Sequence, residues 1–292
     1  MTKNVGKSIR TRLLNLAKEE KQEYMKVLVR YLHERLLFRI SASPYKSNFL
    51  LKGSSLLFAL DGFKARPTID IDLLAERISN DRNNLEAVFQ KVCRIECEED
   101  GVTFDADSLD LKPIAVEKKY PGTCVTVVAH MDTIVQQISV DIGFGDVVTP
   151  YPMFLDYPLL LQDIPSVELY AYSLETLIAE KFHAMVDRDE SNSRMKDFFD
   201  VYQLFNNHNI DKFSLFFHGR GILPTGRMPA VRRNLYFYPW FTVLKFQQQS
   251  KPKGLVPANG ISPNFINCQN VYRTLIKINF GKLNFIITRW RN

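Results

Sequence analysis

A mixed α/β (α+β) fold, with helices on both sides of a strand-rich middle, is predicted by three features of the chain. Apolar residues recur every three or four positions over 25–37, and again over 174–185 and 198–205, the spacing of helices that bury one face. Between these segments, residues 102–146 hold several short apolar or alternating runs, the mark of strands. With 292 residues, 46% hydrophobic and 24% charged, the chain has the size and composition to bury a sizeable core.

The elements follow in order. Two helices open the chain. Met25, Leu28, Val29, Leu32, Leu36 and Leu37 form the apolar stripe of the second, and Lys21, Glu23, Lys26, Arg30 and Glu34 fall largely off it. The polar segment 41–48 contains Pro44 and predicts a loop. Phe49–Lys52 is short and apolar and breaks at Gly53. Ser54 or Ser55 then serves as N-cap of a helix that ends at Asp61-Gly62. A linker leads to a strand from Ile69 to Leu74. Residues 82–93 predict a helix burying Leu85, Val88, Phe89 and Val92. Strand-like runs lie at 102–106, 114–120, 123–131 and 134–146, and four prolines, Pro150, Pro152, Pro158 and Pro165, punctuate a loop. Ser173 caps a helix over 173–188 that buries Leu174, Leu177, Ile178, Phe182 and Met185, with Glu175 in the first turn where its charge suits the dipole. After the polar break DESNS comes a last helix, 194–207, with Phe198, Val201, Tyr202 and Phe205 in its core.

Several classes are excluded. No window approaches 18 uninterrupted apolar residues, so no transmembrane helix and no membrane role are expected. The first 21 residues lack the apolar centre of a secretory signal. Four cysteines are too few for a disulfide scaffold, and Cys93 and Cys97 have no second pair to complete a zinc site. A cytoplasmic protein with reduced thiols is the expectation.

The sharpest chemical signal is Ile69-Asp70-Ile71-Asp72-Leu73. Alternation on a strand sends the apolar residues to the core and both aspartates to the other face. Two like charges so placed repel unless a cation lies between them, and oxygen ligands of this kind suit Mg²⁺. In Ile138-Ser139-Val140-Asp141-Ile142 the same alternation puts Asp141 on a polar face. If the two strands are neighbours, three carboxylates converge as a two-ion phosphoryl- or nucleotidyl-transfer site requires. The third could also accept a proton from an attacking hydroxyl. Gly53-Ser54-Ser55 opens a helix upstream, and a helix N-terminus after a glycine turn presents N–H groups to an anion. There is no P-loop motif.

These linked motifs resemble the DNA polymerase β-like nucleotidyltransferases, and within them the AbiEii-type nucleotidyltransferase toxins. FLLKGSSLLFALDGFKARPTIDIDLL is similar to their opening motif, SLETLIAEKFHAM and SRMKDFFDVYQL to their second block, and YLHERLLFRISAS to their N-terminal helical region. The likeness covers roughly residues 5–210 and implies a small mixed-sheet nucleotidyltransferase core with N-terminal helices and an appended C-terminal helical region. It also implies roles. Gly53 and Ser54 would hold a nucleoside triphosphate, although G-S-S-L-L replaces the common G-G-[ST]-A-L and leaves open whether Ser54 or Ser55 faces the phosphates. Asp70 and Asp72 would bind Mg²⁺, in a two-ion site that Asp141 completes, with Asp146 a nearby competitor. Lys181 would neutralise phosphate charge, Lys196 and Asp197 would support the nucleotide site, and Arg66 would contact phosphate. His183 and Asp200 read as a boundary residue and a structural ion-pair partner. Asp105 and Asp107 read as part of an acidic, solvated loop.

The implied activity is transfer of a nucleoside monophosphate from an NTP to an acceptor, RNA and in particular tRNA, by the toxin of a bacterial toxin–antitoxin or phage-defence pair whose antitoxin is encoded nearby. Two alternatives use the same residues: a metal-dependent phosphodiesterase or nuclease, and a catalytically inactive interaction protein. The domain expectation is N-terminal helices plus core over 1–165, a helical region over 166–211 and a tail over 212–292. That tail holds 13 basic residues and no acid, against 25 basic and 32 acidic residues in 1–211. Its basic and aromatic residues read as a nucleic-acid surface. A total loss of acids favours instead an aberrant, out-of-frame or divergent segment.

Overall fold

The computed structural model describes residues 4–114, 122–188 and 195–210. The acid-free tail, the DESNS break, the side chain of Met185 and all but Ile114 of the strand expected at 114–120 lie outside them. The chain divides into two units, Met1–Leu177 and Ile178–Asn292.

In the first unit, seven strands form one mixed sheet: β1 (Phe49–Lys52), β2 (Asp70–Ala75), β3 (Thr103–Ile114), β4 (Gly122–Met131), β5 (Ile134–Phe144), β6 (Met153–Tyr157) and β7 (Val167–Ala171). Their spatial order is β3-β4-β5-β2-β1-β7-β6. The pairs β2–β5 and β1–β7 are parallel and the others antiparallel. The central strands obey period-two alternation. Leu51, Ile71, Leu73, Val125, Val127, Val140 and Ile142 are all buried on one face. The opposite face is the polar one described below.

Helices α1 (Val5–Glu19), α2 (Tyr24–Ala42), α3 (Gly53–Asp61) and α4 (Arg82–Cys93) complete this unit. Asn4 caps α1 through its side chain and Asp81 caps α4. As expected, α4 buries Leu85, Val88, Phe89 and Val92, and it meets the apolar sheet face where Phe89 stacks edge-on against Phe49, centroids 5.8 Å apart.

Helix α2 is more deeply buried than a single stripe allows. Leu28, Leu32, Leu36 and Leu37 are inside, and so are His33, Glu34, Arg35 and Arg39. Arg39 forks onto the Asp100 carboxylate and donates to the Val102 carbonyl at 2.7 Å. Arg35 pairs with Glu34 at 2.8 Å, and Glu34 accepts the Leu160 N–H at 2.7 Å. Burial pushes Glu34 up to about 7, against the pull of Arg35. This cluster ties α2 to two distant loops.

Several expectations need correction. Met25, placed on the α2 stripe, is exposed because it lies in the first turn. Ile69, placed in the core, is 84% exposed because β2 starts only at Asp70. Neither Ser54 nor Ser55 is the N-cap of α3, which begins at Gly53 after Lys52 without a side-chain cap. The acidic segment holding Asp105 and Asp107 belongs to β3, at a register shift between Asp105 and Asp110 where the Asp105 carboxylate accepts the Asp107 N–H. The proline-punctuated stretch contains β6 and β7.

Helix α5 (Leu174–Arg188) starts behind Ser173, whose hydroxyl accepts the Thr176 N–H at 3.1 Å, as its N-cap role predicts. In the second unit, α6 (Met195–Asn207) buries the expected face only in part, at Val201, and adds residues beside it. Asp197, Asp200, Val201 and Leu204 are buried, whereas Tyr202 is 43% exposed and Phe198 and Phe205 are half-buried. The reason is electrostatic: Lys181 on α5 is itself buried and draws both aspartates in.

Candidate active site

The polar face of the sheet is ordered by strand register. Lys52 lies opposite Asp72, Asp72 opposite Asp141, Asp141 opposite Cys124, and Cys124 opposite Lys112. Two residues along each strand, Asp70 lies opposite Ser139, Ser139 opposite Thr126 and Thr126 opposite Asp110. Paired residues project to the same side of a sheet. Asp70, Asp72 and Asp141 therefore share one face, and their backbones are neighbours through the parallel pairing of β2 and β5.

Each carboxylate has a protein contact. Asp70 accepts the Thr68 hydroxyl at 2.6 Å. Asp72 accepts the Ser54 N–H at 3.3 Å, so its carboxylate takes the place at the start of α3 that an anion would otherwise occupy. Asp141 meets the Cys124 thiol. Burial holds Asp141 above the ordinary carboxylate range and the Asp70 charge pushes the same way, while Cys124 and Lys52 pull it back. The Cys124 thiol is itself pushed up to about 11, first by burial and then by Asp141.

Gly53 makes this geometry possible. It holds φ +60, a left-handed conformation that favours glycine, and a Cβ there would lie 2.8 Å from the Cβ of Asp72. The two serines divide their tasks. Ser54 accepts a hydrogen bond from the Arg66 guanidinium, and the Ser55 hydroxyl donates to the Asp70 carbonyl at 3.4 Å. Ser54 thus sits beside Arg66, and Ser55 braces the strand.

Among the described residues, no three His, Cys, Asp or Glu side chains are gathered around one point as a metal cluster. The shared face nonetheless fits a hard divalent cation: its donors are carboxylate oxygens, and Asp141 is raised first by burial and then by the neighbouring Asp70 charge.

Lys181, Lys196 and Asp197 lie in the second unit. The Lys181 ammonium is 2.6 Å from Asp200 and 3.7 Å from Asp197, with all three residues buried. Asp200 is thus the ion-pair partner it was read to be. Lys196 and His183 are exposed.

Sequence reasoning passed over four neighbours of the carboxylates. Lys52 and Tyr172 both contact Asp146, at 2.9 and 2.7 Å. Cys124 could have been found from its alternation in β4. His33, on α2, is buried with Nε2 unpartnered; burial lowers it to about 4 although the Asp70 charge acts the other way. Only the register of α2 against the sheet reveals it.

Comparison with known proteins adds a family. The family of nucleotidyl transferase AbiEii toxins of type IV toxin–antitoxin systems matches residues 35–223. No curated protein matches the chain. Among solved structures, JHP933 from Helicobacter pylori aligns at 16% identity over 88% of this chain and 97% of its own, with a TM-score of 0.43. An antigenic nucleotidyltransferase-like protein from Paracoccidioides brasiliensis aligns at 15% identity over 59% and 75%, with a TM-score of 0.37.

Proposed function

The chain belongs to the AbiEii nucleotidyl transferase toxin family, and from that premise we propose that it is a Mg²⁺-dependent enzyme that moves a nucleoside monophosphate from an NTP to RNA, with tRNA the leading acceptor. It is a nucleotidyltransferase of a toxin–antitoxin family. A cognate antitoxin encoded nearby, a phage-defence role and action in the cytoplasm are part of the proposal. No helix of the described residues is long and apolar enough to cross a membrane.

The observation that carries this reading is the register that sets Asp72 directly against Asp141, with Asp70 on the same face. Asp70, Asp72 and Asp141 would hold Mg²⁺, which when bound neutralises charge on the phosphates and on the leaving pyrophosphate. The remaining work falls to the chain. Gly53 and Ser54 at the start of α3 would receive the triphosphate once Asp72 gives up the Ser54 N–H for the cation, and Arg66, already bonded to Ser54, adds a positive charge beside it. Asp141, with its pKa raised by burial, is the carboxylate suited to take the proton from the attacking hydroxyl. The phosphate-supporting roles that the family resemblance implies for Lys181, paired with Asp197 and Asp200, and for the exposed Lys196 are part of the proposal. Catalysis is then mostly positioning and electrostatic stabilisation.

Incubation with each NTP, Mg²⁺ and total RNA, followed by mass spectrometry of the RNA, tests the reading. RNA heavier by a nucleotide is expected. Shortened RNA without an adduct would establish the nuclease alternative, and RNA unchanged with every NTP would favour an inactive protein.

A further inference from the structure

Lys52 ends β1 one residue before the Gly53 turn, on the same rung of the sheet as Asp72 and Asp141. Its stem does not stay on β1. A Cβ at Gly143, which lies on β5 beyond β2, would be 3.1 Å from the Lys52 ammonium. The side chain therefore crosses the face of β2, and the absence of a side chain at Gly143 leaves room for its head. There the ammonium meets Asp146 at 2.9 Å and lies 5.5 Å from the centroid of the Tyr172 ring. The same Asp146 oxygen accepts the Tyr172 hydroxyl at 2.7 Å. The Lys52 side chain is only 12% exposed, whereas Asp146 is 44% exposed.

A half-buried cation has thus been carried from one strand across another and set among carboxylates. Its stem packs on the sheet and its head is held between Asp146 and the Tyr172 ring. Asp146, the more exposed partner at the end of β5, is placed as a competitor for the same ammonium.

We propose that Lys52 is a phosphate-binding residue of the triphosphate subsite, with Asp146 and Tyr172 holding its ammonium until the phosphate chain of the nucleotide takes it over. This rests on the nucleotidyltransferase reading of the same face. It makes Lys52, rather than Arg66 alone, the cation supplied by the unit that carries the carboxylates. Asp146 is then a rival of the phosphates for Lys52 and not a third metal ligand.

The test uses inorganic triphosphate as the probe, in Mg²⁺-containing buffer, titrated into the full chain by calorimetry. Lys52→Met should weaken binding about tenfold or more, and Lys52→Arg should stay within about threefold of the parent. Asp146→Asn should tighten binding severalfold by removing the competitor. Melting curves identify any variant that fails to fold, in which case Asp146→Asn and Lys52→Arg decide. Equal affinity for Lys52→Met and parent, or weaker binding by Asp146→Asn, overturns the inference. If triphosphate binds as expected but no NTP labels RNA, the failure belongs to the proposed activity and not to Lys52.

Discussion

Two regions of the first unit hold charged groups away from water, and they are built oppositely. Around α2, Arg39, Asp100, Glu34 and Arg35 are fully buried and closely paired, and backbone carbonyls and an N–H add further bonds. On the polar sheet face, Asp70, Asp72 and Asp141 are only half-buried, and like charges stand side by side. The first arrangement matches each charge with an opposite one, as a scaffold must. The second sets like charges side by side on a half-exposed face, as expected of a place that takes up cations and phosphates.

The comparison is broken most decisively by activity. Asp72→Asn should lower nucleotidyl transfer by roughly 10²–10³-fold or more, with the melting temperature unchanged or raised because a like-charge contact is relieved. Unimpaired transfer by a folded variant would place the chemistry elsewhere. On α2 the effect should be the reverse. Asp100→Ala leaves Arg39 buried without its carboxylate and should destabilise the fold by about 3–5 kcal/mol in chemical denaturation. A loss below about 1 kcal/mol would mean that the cluster is not the tie between α2 and its loops.

Lys181 sharpens the boundary between the two cases, since it is buried and paired yet assigned a phosphate role. Lys181→Met should reduce both activity and stability, measured by transfer assay and melting temperature. A loss of stability alone would make it scaffold. Gly53→Ala, which forces a side chain into left-handed backbone and against Asp72, should destabilise by about 1–3 kcal/mol and impair nucleotide binding.

The smallest effect concerns pH. Glu34 titrates at about 7 in the fold, above its ordinary 4.5, so the folded chain keeps a proton that the unfolded chain has released. Stability from this group is complete below about 4.5 and is lost as pH rises towards 7. His33 acts in the opposite sense. Lowered to about 4 from 6.5, it stays neutral while the unfolded chain is protonated, so stability falls as pH drops from 6.5 to 4. The two slopes oppose each other between pH 4.5 and 6.5. Glu34→Gln should remove the Glu34 slope, read as a melting temperature that rises more steeply with pH across that window than the parent's.

Much of this was legible before any coordinates. Period-two alternation placed Asp70, Asp72 and Asp141 on polar faces because it is a local property of each strand. That β2 and β5 are neighbours, and in which register, is a long-range fact that no single segment encodes. The same limit explains Lys52, whose importance comes from reaching across another strand. The α6 stripe was misread because apolar periodicity assigns aspartates to solvent, whereas a buried lysine turned Asp197 and Asp200 inward. Strands β6 and β7 were hidden by brevity and by prolines at their borders.

The central claim is tested most directly by the position of the label transferred. With NTP carrying radioactive phosphorus at the α-phosphate, the protein and its RNA acceptor should yield labelled RNA, and with the label at the γ-phosphate they should yield only labelled pyrophosphate. Label entering RNA from the γ-position, or from neither position, would contradict a nucleotidyl transfer carried by Asp70, Asp72 and Asp141.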